Sequence, residues 1–394
     1  MTTTTDAPAP TGPSGGVAAP QDHRGSWVPT GAMVAAKFKD LRKRRGLMIT
    51  LLVVTVGIPA IYFAIRLLQH AIAPHTYGPA GGYNQYVGVV VGVLYVFGFI
   101  VAATLGATAG SADLAEGMFR HQVITGRSRI ALYLARIPAG LAIILPLVAM
   151  GFTVVCAVCV FAAPTTLSYQ GVDVPVNLSS AGLQSWASAH ADEVICDFNL
   201  NLQNTPSGAQ IAAVVNSVPC GNGPGGGPTF VNPPGSQAQP KPSQAQLSDA
   251  AKLIARQNYA DYARQFLYPS NSLMVKTGLW IELEAVVGFM VGLGLSSLLG
   301  QRTITVVLLI VLELIITPIA SRARLPHLSN LQRGVVGLAT THLEPGRLPA
   351  PFGGGPADRA QFLHESTTVA ICVIAAWIVV WTVLGAWRMS TRDA

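Results

Sequence analysis

Three carboxylates stand where a carboxylate is expensive. Glu282, Glu284 and Glu313 interrupt long apolar stretches, and an ionisable side chain in such surroundings must face a polar interior or a partner. Glu282 and Glu284 are two positions apart and so point to nearly opposite faces of a helix. Glu284 shares its face with Gly288 and Gly292, and small residues at that spacing mark close helix packing. Glu284 is therefore expected inside, with Glu282 nearer an outer interface. Glu313 falls about ten residues into its own stretch, roughly 15 Å from the edge at helical rise. Two readings are open for it: a group that lines or gates a pathway, or a protonated acid hydrogen-bonded between helices.

The other reactive residue types form no catalytic constellation. There is no G-x-x-x-x-G-K-[ST] to cradle ATP phosphates, and the Gly-rich "GPGGGP" lacks the lysine such a loop needs. There is no HExxH, and His327, His342 and His364 are too scattered for a compact metal site. No Ser/His/Asp spacing supports nucleophilic catalysis. A chain that is not an enzyme, with no catalytic, cofactor or metal site of its own, is expected. Cys156 and Cys159 form a CxxC inside an apolar stretch, where cysteine is a small hydrophobe. Cys196 and Cys220 stand outside such stretches, and a disulfide between them is expected if that segment faces an oxidising space.

The elements that must position these residues are membrane helices. Of 394 residues, 51% are hydrophobic and only 11% charged, against about 25% charged in an average soluble domain. A helix needs roughly 20 apolar residues to cross the hydrocarbon core. Six stretches qualify: Leu47–Ile65, Tyr86–Thr108, Ile137–Ala162, Thr277–Leu299, Thr303–Ala320 and Val369–Trp387. Pro59, Pro146 and Pro318 lie inside them, where kinks are expected. The fold class predicted is all-α: a polytopic membrane protein with six transmembrane helices.

The net charge of +7 does not point to nucleic acid, because the basic residues cluster beside the apolar stretches. "KFKDLRKRR" precedes the first; Arg120, Arg127, Arg129 and Arg136 lie between the second and third; Arg302 lies between the fourth and fifth; Arg388 and Arg392 follow the sixth. Alternation puts all of these on one side, which the positive-inside rule makes the cytoplasm. Five arginines in the loop after the fifth stretch disagree, but long loops weigh less than short ones.

The segments then divide as follows. Residues 1–30 are expected to be a disordered cytoplasmic tail. Residues 31–46 form a basic amphipathic helix, and 47–162 hold spans one to three. Residues 163–272 are a long extracellular loop or small domain, with a flexible Gly/Pro middle and then a helix, capped by Ser248, that leads to the fourth span. Residues 273–321 hold spans four and five. The outer loop 322–367 contains "LPHLSNLQRGVVGLATTHL", expected as a re-entrant or interfacial helix. Residues 368–388 form the sixth span and 389–394 a cytoplasmic tail. Both termini fall in the cytoplasm.

One tight cytoplasmic segment remains, at residues 113–129 between spans two and three. In "EGMFRHQVITGRSR", Met118, Phe119, Gln122 and Val123 recur at helical spacing, so a short amphipathic helix across the mouth of the bundle is expected. "DLAEGMFRHQVITGRSRIALYLAR" resembles the coupling segment of the ABC-2 type (exporter) permeases. Gly117, Thr125 and Ser128-Arg129 match that pattern, and Arg136 falls where the family has a lysine; Met118 and Gly126 replace its Thr and Pro. The six-span layout, the elbow-like helix at 31–46 and the short turn after span four are similar as well, whereas the long loop after span three departs from the pattern.

The resemblance implies a bacterial plasma-membrane permease whose six helices are half of the usual transmembrane assembly: a second permease subunit, as homodimer or heterodimer, and a separate P-loop ATPase that binds ATP and magnesium. Glu116, Gly117, Met118, Phe119, Val123, Arg127, Ser128 and Arg129 would then couple to that ATPase. Glu284 and Glu313 are the candidates for the transport pathway, and lipids the other contacts. A receptor or cell-envelope assembly protein that works through the extracellular loop, without transport, is the rival reading.

Overall fold

The computed structural model describes residues 27–73, 77, 79–115, 128–169, 172–191, 194–195, 243–322, 329–345, 348 and 366–391. Within them, six helices are long and apolar enough to cross a membrane: Arg45–Ile72, Tyr83–Ala112, Arg129–Phe161, Asn271–Leu299, Arg302–Ala320 and Thr367–Thr391. The chain is a multi-pass membrane protein built mainly of helix.

The six spans are not equivalent. About two thirds of the apolar window of the second and fourth spans is buried, against 17% to 22% in the first, fifth and sixth. The second and fourth spans are thus the core, and the others turn most of their surface outward. The core pair meets through glycines at four-residue spacing on both partners. A Cβ on Gly106 would strike the Phe289 carbonyl, and one on Gly110 would strike the Ser296 hydroxyl. Reciprocally, a Cβ on Gly288 would come within 2.6 Å of the Phe99 carbonyl, and one on Gly292 would strike the Ala103 carbonyl. Backbones approach this closely only where side chains are absent. Gly294 receives the sixth span in the same way, against the Trp381 carbonyl.

Neighbouring ends alternate as an up-and-down bundle requires. Gly82 at the start of span two donates its N–H to the Cys159 carbonyl at the end of span three. At the opposite face Arg136, near the start of span three, donates to the Gly110 carbonyl near the end of span two. Arg129 donates to the Ser390 carbonyl at the end of span six. That face also receives a helix over Gly31–Lys43, capped by Thr30, which packs Met33 against Ala131, Leu132 and Ala135. It carries the basic residues and is called the basic end below.

Several helix limits differ from those read in the sequence. The first span continues to Ile72 rather than Ile65, because Arg66 extends it. Its guanidinium donates to the carbonyls of Tyr77 and Pro79, beyond the helix end. The third span begins at Arg129, with Ser128 in extended conformation before it. The prolines divide. Pro59 and Pro318 stand two residues after π-helical turns at Val53–Gly57 and Leu312–Ile316, where a widened turn absorbs the hydrogen bond that proline cannot make. Pro146 sits in the uninterrupted helix Arg136–Phe161.

Beyond the third span the chain builds a small domain. Strands β1 (Thr166–Tyr169) and β2 (Val172–Pro175) pair antiparallel, with Leu167 opposite Val174. This hairpin was not legible as helix and is the one departure from an all-α chain among the described residues. Among the described residues, helices Ser180–Ala189, Gln244–Gln257 and Tyr259–Gln265 belong to it as well. Val174, Leu183, Ala187, Ile195, Leu247, Ile254 and Phe266 share its core. The expected Ser248 cap is corrected: the helix begins five residues earlier. Ser243 accepts from the Gln246 N–H while the Gln246 side chain accepts from the Ser243 N–H, a reciprocal capping box.

Candidate functional site

One group of buried polar residues converges where spans two, four and five meet the short helix Val336–His342. Each contributes for a local reason. Tyr95 ends a π-helical turn, Val90–Tyr95, in span two. Glu313 lies in the π-helical turn of span five, ahead of Pro318. Trp280 and Glu284 are one helical turn apart on span four, on the face that looks inward. The short helix supplies Gly337, Thr340 and Thr341, and its Val336, Gly337, Ala339 and Thr340 are buried.

The Tyr95 ring stacks on Trp280 with centroids 4.5 Å apart and 16° between planes. The Trp280 indole N–H donates to the Thr340 carbonyl at 2.8 Å. The Tyr95 hydroxyl lies 3.1 Å from the Thr340 hydroxyl and 3.3 Å from that of Thr341. Thr340 and Thr341 each donate back to the Gly337 carbonyl. Glu313 Oε2 stands 3.1 Å from the point a Cβ would occupy on Gly337, and Thr317 presses on the same point. A side chain there would strike Thr317, 2.7 Å from the Cβ position, and crowd the carboxylate.

Glu284 and Glu313 are both buried. They lie within electrostatic reach of one another and of Tyr95. The Thr340 hydroxyl stands beside Glu284, yet no oxygen of either carboxylate closes a hydrogen bond of ordinary geometry. The inward placement expected of Glu284 is observed, as is its shared face with Gly288 and Gly292. Glu282 is only partly buried, as expected of its opposite face. Neither open reading of Glu313 is decided by its position, since it is buried among helices but without the hydrogen bond that a purely structural acid would make.

The sequence did not single out Tyr95, Trp280, Gly337, Thr340 or Thr317. Signals for them were present: polar aromatics inside apolar stretches, and a proline five residues after Glu313. Outside the membrane bundle, Tyr262 closes the small domain. Its hydroxyl donates to the Pro175 carbonyl at 2.6 Å and accepts from the Leu178 N–H at 3.0 Å. Burial pushes this phenol up from its ordinary value.

Of the residues expected to couple to an ATPase, Glu116, Gly117, Met118, Phe119, Val123 and Arg127 lie outside the described residues, and Ser128 and Arg129 sit at the start of span three. Cys196 and Cys220 also lie outside the described residues. Cys156, Cys159 and Cys372 are free thiols in spans. No group of three or more metal-ligating side chains occurs among the described residues. Comparison with protein-family models, with curated proteins and with solved structures returned no match.

Proposed function

We propose that this chain is the transmembrane subunit of an ABC exporter, with ATP hydrolysis carried by a separate subunit. The observation that carries the reading is the segment 116–129 joined to this six-helix bundle. It has the residue pattern of an ABC-2 coupling segment and links two spans whose ends are fixed at the basic end. Arg136 on Gly110 and Arg129 on Ser390 tie its flanks to spans two and six. A push on such a segment reaches the core pair directly, because span two packs on span four through glycines rather than compressible side chains. The helix Gly31–Lys43 serves as the elbow at the membrane surface, with the basic end in the cytoplasm. The short helices Ser329–Arg333 and Val336–His342 form a re-entrant segment from the opposite side.

The chain has no P-loop, so its partner must supply one. The direct test is co-expression with any P-loop ATPase encoded beside it. A stable complex that hydrolyses ATP in the membrane supports the reading; absence of any such neighbour or complex rejects it. A receptor or assembly role is the second reading, favoured by one observation: the small domain beyond span three has a hydrophobic core separate from that of the bundle.

A further inference from the structure

The carboxylates of Glu284 and Glu313 form an unresolved charge problem within an otherwise complete polar cluster. Tyr95, Trp280, Thr340 and Thr341 are satisfied by one another and by the short helix. The two carboxylates are not. Both are buried, all four of their oxygens lack a hydrogen bond, and neither has an ion-pair partner among the described residues. They come from different spans and border one turn of the same short helix, Glu313 at Gly337 and Glu284 at Thr340, whose hydroxyl donates to the Gly337 carbonyl. Two like charges buried at one helix turn without a counter-charge repel each other and forfeit hydration as well. Something positive must enter.

We propose that Glu284 and Glu313 form an intramembrane binding site for a small monovalent cation, a proton or an alkali ion, which neutralises the pair. The chemistry shared by the two occupants is a positive charge held between carboxylate oxygens. For a proton, one carboxyl becomes neutral and the like-charge repulsion is removed. For an alkali ion, the hard oxygens nearby are those such ions prefer: the Tyr95 and Thr340 hydroxyls and the Gly337 carbonyl. The titratable groups facing the pair are each other and, from span two, Tyr95; the short helix presents hydroxyls. Occupancy would draw spans four and five together against the short helix, since Glu313 already abuts Gly337. The site stands whether or not the chain is a permease.

Infrared difference spectroscopy on the full chain in liposomes tests this. Carboxylic acid and carboxylate carbonyl bands are followed as pH is stepped and as choline is exchanged for sodium at constant ionic strength. A glutamic acid band that shifts in D2O and responds to pH but not sodium assigns the proton. A carboxyl change driven by sodium assigns the alkali ion. Either signal should be lost in Glu313→Gln and Glu284→Gln and kept in Glu282→Gln, whose side chain faces the other way. The proposal is overturned if wild type shows no band of a buried glutamic acid that responds to pH or sodium, set apart from the bands of exposed carboxyls, or if that buried band persists in both Gln variants. Because the wild-type spectra alone decide the first of these outcomes, a variant that fails to fold does not leave the question open.

Discussion

Tyr95 and Trp280 stack at 4.5 Å, and both reach the same residue of the short helix. Trp280 holds the Thr340 backbone through its indole N–H, and Tyr95 meets the Thr340 hydroxyl. One residue outside the six spans is thereby clamped by two of them. The clamp joins the core pair to a segment that would otherwise be an ordinary connection between spans five and six.

Loosening the clamp should cost little stability but a definite amount of coupling. Interhelical hydrogen bonds in membrane proteins contribute about 0.6 kcal/mol on average and up to about 1.7. Trp280→Phe keeps the ring and removes the donor; Tyr95→Phe keeps the stack and removes the hydroxyl. Each is expected to lower stability within that range. The double variant should lose less than the sum, because both act on Thr340. Thermal unfolding of the purified protein measures all three, and strict additivity would contradict the shared clamp.

Glycines of the core pair should divide by what lies opposite them. Gly292→Val drives side-chain atoms into the Ala103 carbonyl, a backbone group that cannot step aside, so a loss of about 1–3 kcal/mol or failure to assemble is expected. Gly98 has nothing within 4 Å of its would-be Cβ. Gly98→Ala should be harmless, or stabilising by up to about 1 kcal/mol as helix propensity improves. Size-exclusion profiles and melting temperatures of the two variants check the contrast.

The small domain should weaken in alkali. Tyr262 holds its proton more firmly when folded, because burial disfavours the phenolate. Its folded pKa lies above the unfolded one, so the stabilisation is fully present below about pH 10. Above that, the unfolded chain releases the proton first, and stability falls as pH rises toward the folded pKa. Tyr262→Phe removes this slope, and at neutral pH also leaves the Leu178 N–H without its acceptor, costing about 1–3 kcal/mol. Limited proteolysis between Ser180 and Phe266, followed against pH, reads both effects.

The apolar stretches announced the six spans because a bilayer imposes one length and one polarity on every helix that crosses it. Glu284 was legible for a related reason: its helical face carries Gly288 and Gly292, and periodicity alone joins them. The polar cluster was not. It depends on Tyr95, Glu313 and Thr340 arriving from segments far apart in the chain, and Tyr95 and Glu313 each lie in a π-helical turn that breaks the regular helical period. No local pattern encodes such a meeting. The start of the helix at Gln244 was misplaced because Ser248 is followed by good helical spacing, whereas the capping box of Ser243 and Gln246 is a reciprocal hydrogen-bond pair that composition around Pro242 obscures.

The segment 116–129 is where the transport reading stands or falls. Phe119 would bury apolar surface in a groove of the ATPase, and Phe119→Asp would place an unpaired charge there. The measurement is the ATPase activity and co-purification of the partner ATPase with wild-type and Phe119→Asp chains, with insertion and assembly of the bundle verified in both. The expected result is loss of the ATPase, or ATP hydrolysis that no longer responds to the permease, from a chain that still folds. Equal binding and equal hydrolysis in the two would contradict a coupling role for this segment and move the receptor or assembly reading to first place.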